Sequence, residues 1–133
     1  MPPLSILLKP ASSGCNLRCA YCFYADEAGA RSVPNYGLMS REVSHALIEK
    51  AAGAAEGSVS FLFQGGEPTL AGLDFYRDFT ERVGQAVPRG LAVRYALQTN
   101  GTLLDGAWCR FPRENHFLAG LSLDGSRDCH DRF

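Results

Sequence analysis

Four short apolar runs, Leu4–Leu8, Val59–Gln64, Leu91–Gln98 and Phe117–Leu123, are separated by long helix-periodic or turn-rich stretches. Strands so far apart in sequence are not joined as hairpins; they pair in parallel through right-handed crossovers, with helices covering the sheet. The intervening sequence supplies those helices. Ser40 is positioned to cap a helix whose Val43, Leu47, Ile48 and Ala51 keep the 3.6-residue period, with Gly53 or Gly57 to end it. Leu73, Tyr76, Thr80 and Val83 mark a second amphipathic helix, and Pro88 and Gly90 break it. Asn100-Gly101 reads as a turn, a weaker helix over Thr102–Arg110 is cut by Pro112, and Phe23 to Leu38 reads as a long loop. The expected fold class is therefore α/β, with about four parallel strands in a β-α-β-α-β-α-β order that amounts to half of a (β/α) barrel.

At 133 residues the chain is about one domain in size, and 46% hydrophobic with 20% charged residues is a globular composition. Lys plus Arg is 13 against 14 for Asp plus Glu, a net charge of −1, which leaves no basic footprint for nucleic acid or acidic lipid. The apolar runs fall far short of the ~20 residues of a membrane span. Lys9 and Pro10 interrupt the N-terminal run before it reaches the length of a signal-peptide core, so a reducing cytoplasm is the expected location. The chain stops at Arg132-Phe133, directly after a fourth strand whose far edge would be unpaired, and a truncated or partial chain is expected on that ground.

Strand parity indicates where a site should lie. Gln64, Gln98 and Ser122 fall near the C-terminal ends of their strands, each on a face with small or apolar residues: Ser60 and Leu62, Ala96, and Leu118 and Gly120. The opposite faces carry Phe61 and Phe63, Tyr95 and Leu97, and Leu121 and Leu123, which are expected to pack against helices. Ligands in parallel α/β architectures bind at the C-terminal strand ends, where these polar residues converge.

The cysteines carry the chemistry. Cys15, Cys19 and Cys22 lie within eight residues, while Cys109 and Cys129 are isolated and read as small buried thiols. Disulfides between such close neighbours would close very small, strained loops, so a metal or cluster site is the better account. Three thiolates from one loop suit an iron–sulfur cubane with one iron left open to another molecule. A structural zinc would need a fourth Cys or His, and His45, His116 and His130 have no local spacing to the triplet.

Cys15-Asn16-Leu17-Arg18-Cys19-Ala20-Tyr21-Cys22-Phe23-Tyr24 resembles the signature loop of radical S-adenosylmethionine (SAM) enzymes. Further stretches resemble the anaerobic sulfatase-maturating enzymes of that superfamily: Lys9-Pro10 with Ser12-Ser13, Gln64 to Leu70, Gln98 to Leu104, and Leu121 to Gly125 with His130-Asp131. The resemblance implies a partial TIM-like barrel of the radical SAM type, with residues 1–133 as the N-terminal part of the core and the C-terminal strands and auxiliary-cluster domain absent. It implies a [4Fe-4S] cluster on Cys15, Cys19 and Cys22, with SAM bound by Tyr21, Gln64, Gly65, Gly66, Glu67 and Ser122. In this reading Tyr21 lies near the adenine, the glycine pair lets backbone groups approach the methionine ammonium, Glu67 adds negative charge there, and Ser122 donates to the carboxylate. Tyr24, Gln98 and Asn100 are candidates for substrate contact.

The implied reaction is oxidation of a cysteine or serine in a sulfatase to formylglycine through a 5′-deoxyadenosyl radical. Its implied partners are a sulfatase or peptide substrate and an electron donor such as a flavodoxin or ferredoxin, with no nucleic acid and no membrane. The general base of the family and an arginine that binds SAM are expected beyond residue 133, so this chain alone is expected to bind SAM weakly at best and not to complete the reaction. Other readings are a related peptide-modifying radical SAM enzyme, a cluster-binding electron-transfer module, and a non-functional remnant.

Overall fold

The computed structural model describes residues 3–132; Met1, Pro2 and Phe133, at the ends of the 1–133 unit expected from the sequence, lie outside the described residues. The elements in chain order are β1 (Leu4–Leu8), α1 (Phe23–Gly29), α2 (Arg41–Ala54), β2 (Ser58–Phe63), a 3-10 turn (Pro68–Ala71), α3 (Leu73–Ala86), β3 (Ala92–Thr99), α4 (Gly106–Glu114), β4 (Phe117–Leu121) and α5 (Arg127–His130). The four strands form one parallel sheet in the order β1-β2-β3-β4. Pairs such as Leu4 with Val59, Phe61 with Tyr95 and Thr99 with Leu121 set the register, which brings the strand C-termini out on one side.

Helices α2, α3 and α4 cover one face of this sheet. Phe61 and Phe63 of β2 point toward α3, where Tyr76, Phe79 and Val83 meet them; Ile48 and Ala51 of α2 and Trp108 and Phe111 of α4 complete the core. Phe79 stands edge-on to both Phe61 and Phe63 at 5.1 Å, and Tyr95 stacks on Phe117 at 4.7 Å. Each buried ring contributes about 1.5–3 kcal/mol from desolvation, and the edge-on pairs add to it. The Tyr76 hydroxyl donates to the Pro68 carbonyl at 2.8 Å, which satisfies the one polar atom this ring takes into the core, and burial raises its pKa. The other face of the sheet, with Leu7, Leu62, Ala96 and Leu118, is open; Leu118 is 74% exposed.

Several boundaries differ from the sequence expectation for local reasons. Ser40 does cap α2, accepting from the Val43 amide at 3.3 Å, but the helix runs through Gly53 to Ala54. Within the expected loop of 23–38, Phe23–Gly29 is helical; at seven residues with none buried, α1 is too short to show a periodic apolar stripe. The third amphipathic helix begins at Gly106 rather than Thr102, because Asp105 accepts from the Trp108 amide at 2.9 Å and so sets the start. It also carries Pro112 inside it, where burial of Trp108, Phe111 and Pro112 outweighs the lost backbone bond. β4 ends at Leu121, and Leu121 and Leu123, expected against helices, are 57% and 65% exposed because the four-residue α5 that follows buries nothing.

Candidate functional site

The cysteine loop after β1 is held against the turn after β2 by backbone contact. The Gly66 amide donates to the Ser12 carbonyl at 3.1 Å, and the Glu67 amide donates to the Gly14 carbonyl at 2.7 Å. Such an approach requires residue 66 to lack a side chain: a Cβ there would stand 2.0 Å from the Gly14 oxygen and 2.5 Å from its carbonyl carbon. Gly65, at φ 121°, is under similar pressure, since a Cβ would lie 2.9 Å from the Ser12 oxygen. The glycine pair, expected from the sequence to admit a ligand, is thus first of all the seat of the cysteine loop.

Between this loop and the strand ends lies a cleft of ≈ 220 Å³. All three triplet cysteines line it, together with Tyr21 from the same loop and Tyr24 of α1. Gln64, Gly65, Gly66 and Glu67 form a second wall, and Gln98, Asn100 and Ser122 a third. Every site residue expected from the sequence therefore faces one cavity at the C-terminal edge of the sheet. Cys109 and Cys129, expected to be buried, are exposed: α4 turns Trp108 and Phe111 inward, which leaves Cys109 on its outer side, and Cys129 lies on α5, which buries nothing.

Hydrogen bonds fix the walls. Gln98 donates through Nε2 to Ser122 Oγ at 3.1 Å, and its Oε1 occupies the space left by Gly120, where a Cβ would come within 2.2 Å. The Tyr21 hydroxyl donates to the Asp124 carboxylate, which joins the cysteine loop to the chain beyond β4. That bond to an anion pushes the phenol up to about 12, so it is neutral at physiological pH. The Lys9 ammonium stands 4.5 Å from the Tyr24 ring centre.

Glu67 is 1% exposed, and its carboxylate is taken up within the protein. Oε1 accepts from the Thr69 amide at 3.0 Å, the Thr69 hydroxyl at 2.5 Å and the Thr99 hydroxyl at 2.7 Å; Oε2 accepts from the Asn100 amide at 2.8 Å. These bonds offset the cost of burying the group and tie the turn after β2 to the end of β3. Sequence reading did not single out Thr99. Its signal is parity, since it shares the core face with Tyr95 and Leu97 and, as a polar residue there, requires a buried partner.

Among the described residues, no three His, Cys, Asp or Glu side chains converge closely enough to hold one metal ion. A tetrahedral zinc draws its thiolates to about 4 Å from one another. A cubane binds each cysteine through a different iron, and three cysteines lining one cavity supply the donor type it takes. The Leu17 amide donates to Cys15 Sγ at 3.4 Å. No helix of the described chain is long and apolar enough to cross a membrane.

The chain is similar to known proteins. The profile of the radical SAM superfamily matches residues 10–133. The cysteine-type anaerobic sulfatase-maturating enzyme of Clostridium perfringens is 50% identical over 131 residues, 98% of this chain and 35% of that protein. The serine-type enzyme of Klebsiella aerogenes is 39% identical over 129 residues, 97% of this chain and 31% of that protein. The structure of native anSMEcpe with bound AdoMet and Kp18Cys peptide superposes with a TM-score of 0.89 at 49% identity, covering 98% of this chain and 34% of that one. The chain thus spans about a third of the length of the curated relatives it matches.

Proposed function

The chain belongs to the radical SAM superfamily, and from that membership we propose that residues 1–133 are the N-terminal part of a radical SAM core that binds a [4Fe-4S] cluster and SAM in the cleft at the strand ends. The observation that carries this reading is the convergence of three free cysteines with the Gln64–Glu67 turn, Gln98 and Ser122 on one cavity. When bound, the cluster would supply the electron for reductive cleavage of SAM, and with it the radical chemistry of the superfamily.

The chain's own residues bind and orient. Cys15, Cys19 and Cys22 hold the cluster. Gly65 and Gly66 offer main-chain groups to the methionine end, and Ser122, itself held by Gln98, offers a hydroxyl to its carboxylate. Tyr21, its hydroxyl tied to Asp124, presents its ring at the cleft for the adenine. Glu67 acts by holding Thr99 and Asn100 rather than by lending a free charge. Tyr24 and Gln98, which line the same cleft, would contact the substrate.

The reaction proposed for the whole protein is oxidation of a sulfatase side chain to formylglycine. Identity runs higher to the cysteine-type than to the serine-type relative, which supports a cysteine substrate. A flavodoxin or ferredoxin would supply the electron. Anaerobic reconstitution with iron and sulfide, then reduction and electron paramagnetic resonance with and without SAM, tests the core of the proposal. A [4Fe-4S]⁺ signal that shifts on adding SAM is the expected result. A cluster signal indifferent to SAM would favour a simple electron carrier instead.

A further inference from the structure

The side-chain amide of Asn100 is held in one orientation. Its Oδ1 accepts from the Thr102 amide at 3.0 Å and from the Thr102 hydroxyl at 2.8 Å. A backbone N–H can only donate, so the oxygen faces Thr102 and the NH₂ group faces the cysteine loop. There Nδ2 has two acceptors for its two hydrogens: Asn16 Oδ1 at 3.0 Å and Cys15 Sγ at 3.8 Å. Asn16 closes the ring by donating through Nδ2 to Thr102 Oγ1 at 2.8 Å. The Asn100 main chain is anchored from behind by Glu67 Oε2, and Thr99 by Glu67 Oε1.

We propose that Asn100 is a positioning residue for Cys15 whose amide N–H sets the reduction potential of the cluster, and that Glu67 works through it. This rests on the cluster assigned above. A hydrogen bond to a ligating sulfur draws off negative charge and so favours the reduced, more negative cluster, raising its potential. The geometry supplies that donor from the end of β3, and the buried Glu67 carboxylate holds the strand end still. Asn100, which the sequence offered as a substrate contact, is thereby reassigned to the cluster side of the cleft.

The test is a redox titration of the reconstituted chain, followed by electron paramagnetic resonance in the absence of SAM. Asn100→Asp keeps the oxygen that faces Thr102 and replaces the donor with a negative oxygen beside the sulfur. Its ratio of reduced to oxidised cluster at the wild-type midpoint is expected to fall about tenfold, equivalent to about 59 mV for a one-electron couple. Asn100→Ala, which removes the donor without adding charge, should fall about threefold; it decides the matter if the aspartate variant does not load iron. A ratio within about twofold of wild type in folded, four-iron Asn100→Ala would overturn the assignment. Failure of the wild-type chain to assemble a four-iron cluster would instead overturn the functional reading on which the assignment stands.

Discussion

Replacing Gly66 with alanine separates loop packing from every other role of the glycine pair. The new Cβ would lie 2.0 Å from the Gly14 oxygen, 2.5 Å from the Gly14 carbonyl carbon and 2.8 Å from the Ser13 carbonyl carbon. Comfortable contact needs about 3.5 Å, so the cysteine loop must retreat by about 1.5 Å. All three obstacles are main chain, and no rotamer change relieves them. Retreat breaks the bonds from the Gly66 amide to Ser12 and from the Glu67 amide to Gly14, each contributing about 1 kcal/mol. Overpacking adds about 1–3 kcal/mol, for a sum of about 3–5 kcal/mol. In a chain of this size that lowers Tm by roughly 10–20 °C. Thermal unfolding of the iron-free chain by circular dichroism measures it, and iron per chain after reconstitution should fall in parallel because Cys15 moves with Gly14. Gly84→Ala, in α3 with open space around it, is the control and should gain up to about 1 kcal/mol. If Gly66→Ala melts within about 2 °C of wild type and loads the same iron, the packing argument is refuted.

Gly120→Ala meets the movable end of Gln98 rather than backbone, so it should cost less than about 1 kcal/mol of stability. It should nevertheless weaken SAM binding about tenfold in calorimetry, because Gln98 is pushed off Ser122; unchanged affinity would count against Ser122 as a SAM contact. The Tyr21 phenol should titrate at about 12 rather than its ordinary 10.0. The folded state then keeps a proton that the unfolded chain has lost, so the stabilisation is whole below pH 10 and disappears as pH rises through 12. The difference in phenolate absorbance between wild type and Tyr21→Phe reads this midpoint, and a value near 10 would contradict the bond to Asp124. Ser40→Ala removes the cap of α2 and should lower stability by about 1 kcal/mol in urea unfolding, whereas an unchanged midpoint would mean that the cap contributes nothing.

Much of this molecule is legible in its sequence, and the parts that are not have identifiable causes. The four strands and α2 and α3 are written in long apolar periods, and their positions come out within a few residues. α1 escaped because seven residues, none of them buried, carry no stripe, and α4 was misplaced because Pro112 signals a break that the packing of Trp108 and Phe111 overrides. The site residues were legible as motifs and by strand parity. Their division of labour was not. Glu67 reads as a free charge in a motif, yet the threonines that consume it, Thr69 and Thr99, are ordinary residues until the chain brings them together. The same holds for Asn100, whose partners Asn16 and Cys15 lie 84 and 85 positions away.

Those separations also set an order in time. Every strand pairing here is between distant segments, and the loop bearing the cysteines is fastened by contacts to Asn100, Thr102 and Asp124 that reach across 85, 86 and 103 positions. Local helices can form as soon as they are made, but the closure of such long loops is the slow step in folding. The cysteine loop precedes β3 and β4 in the chain, and its fastening is complete only once they have docked. Iron that arrives before β3 and β4 have docked meets three thiols on a loop held only by the turn after β2; iron that arrives afterwards meets a finished cup.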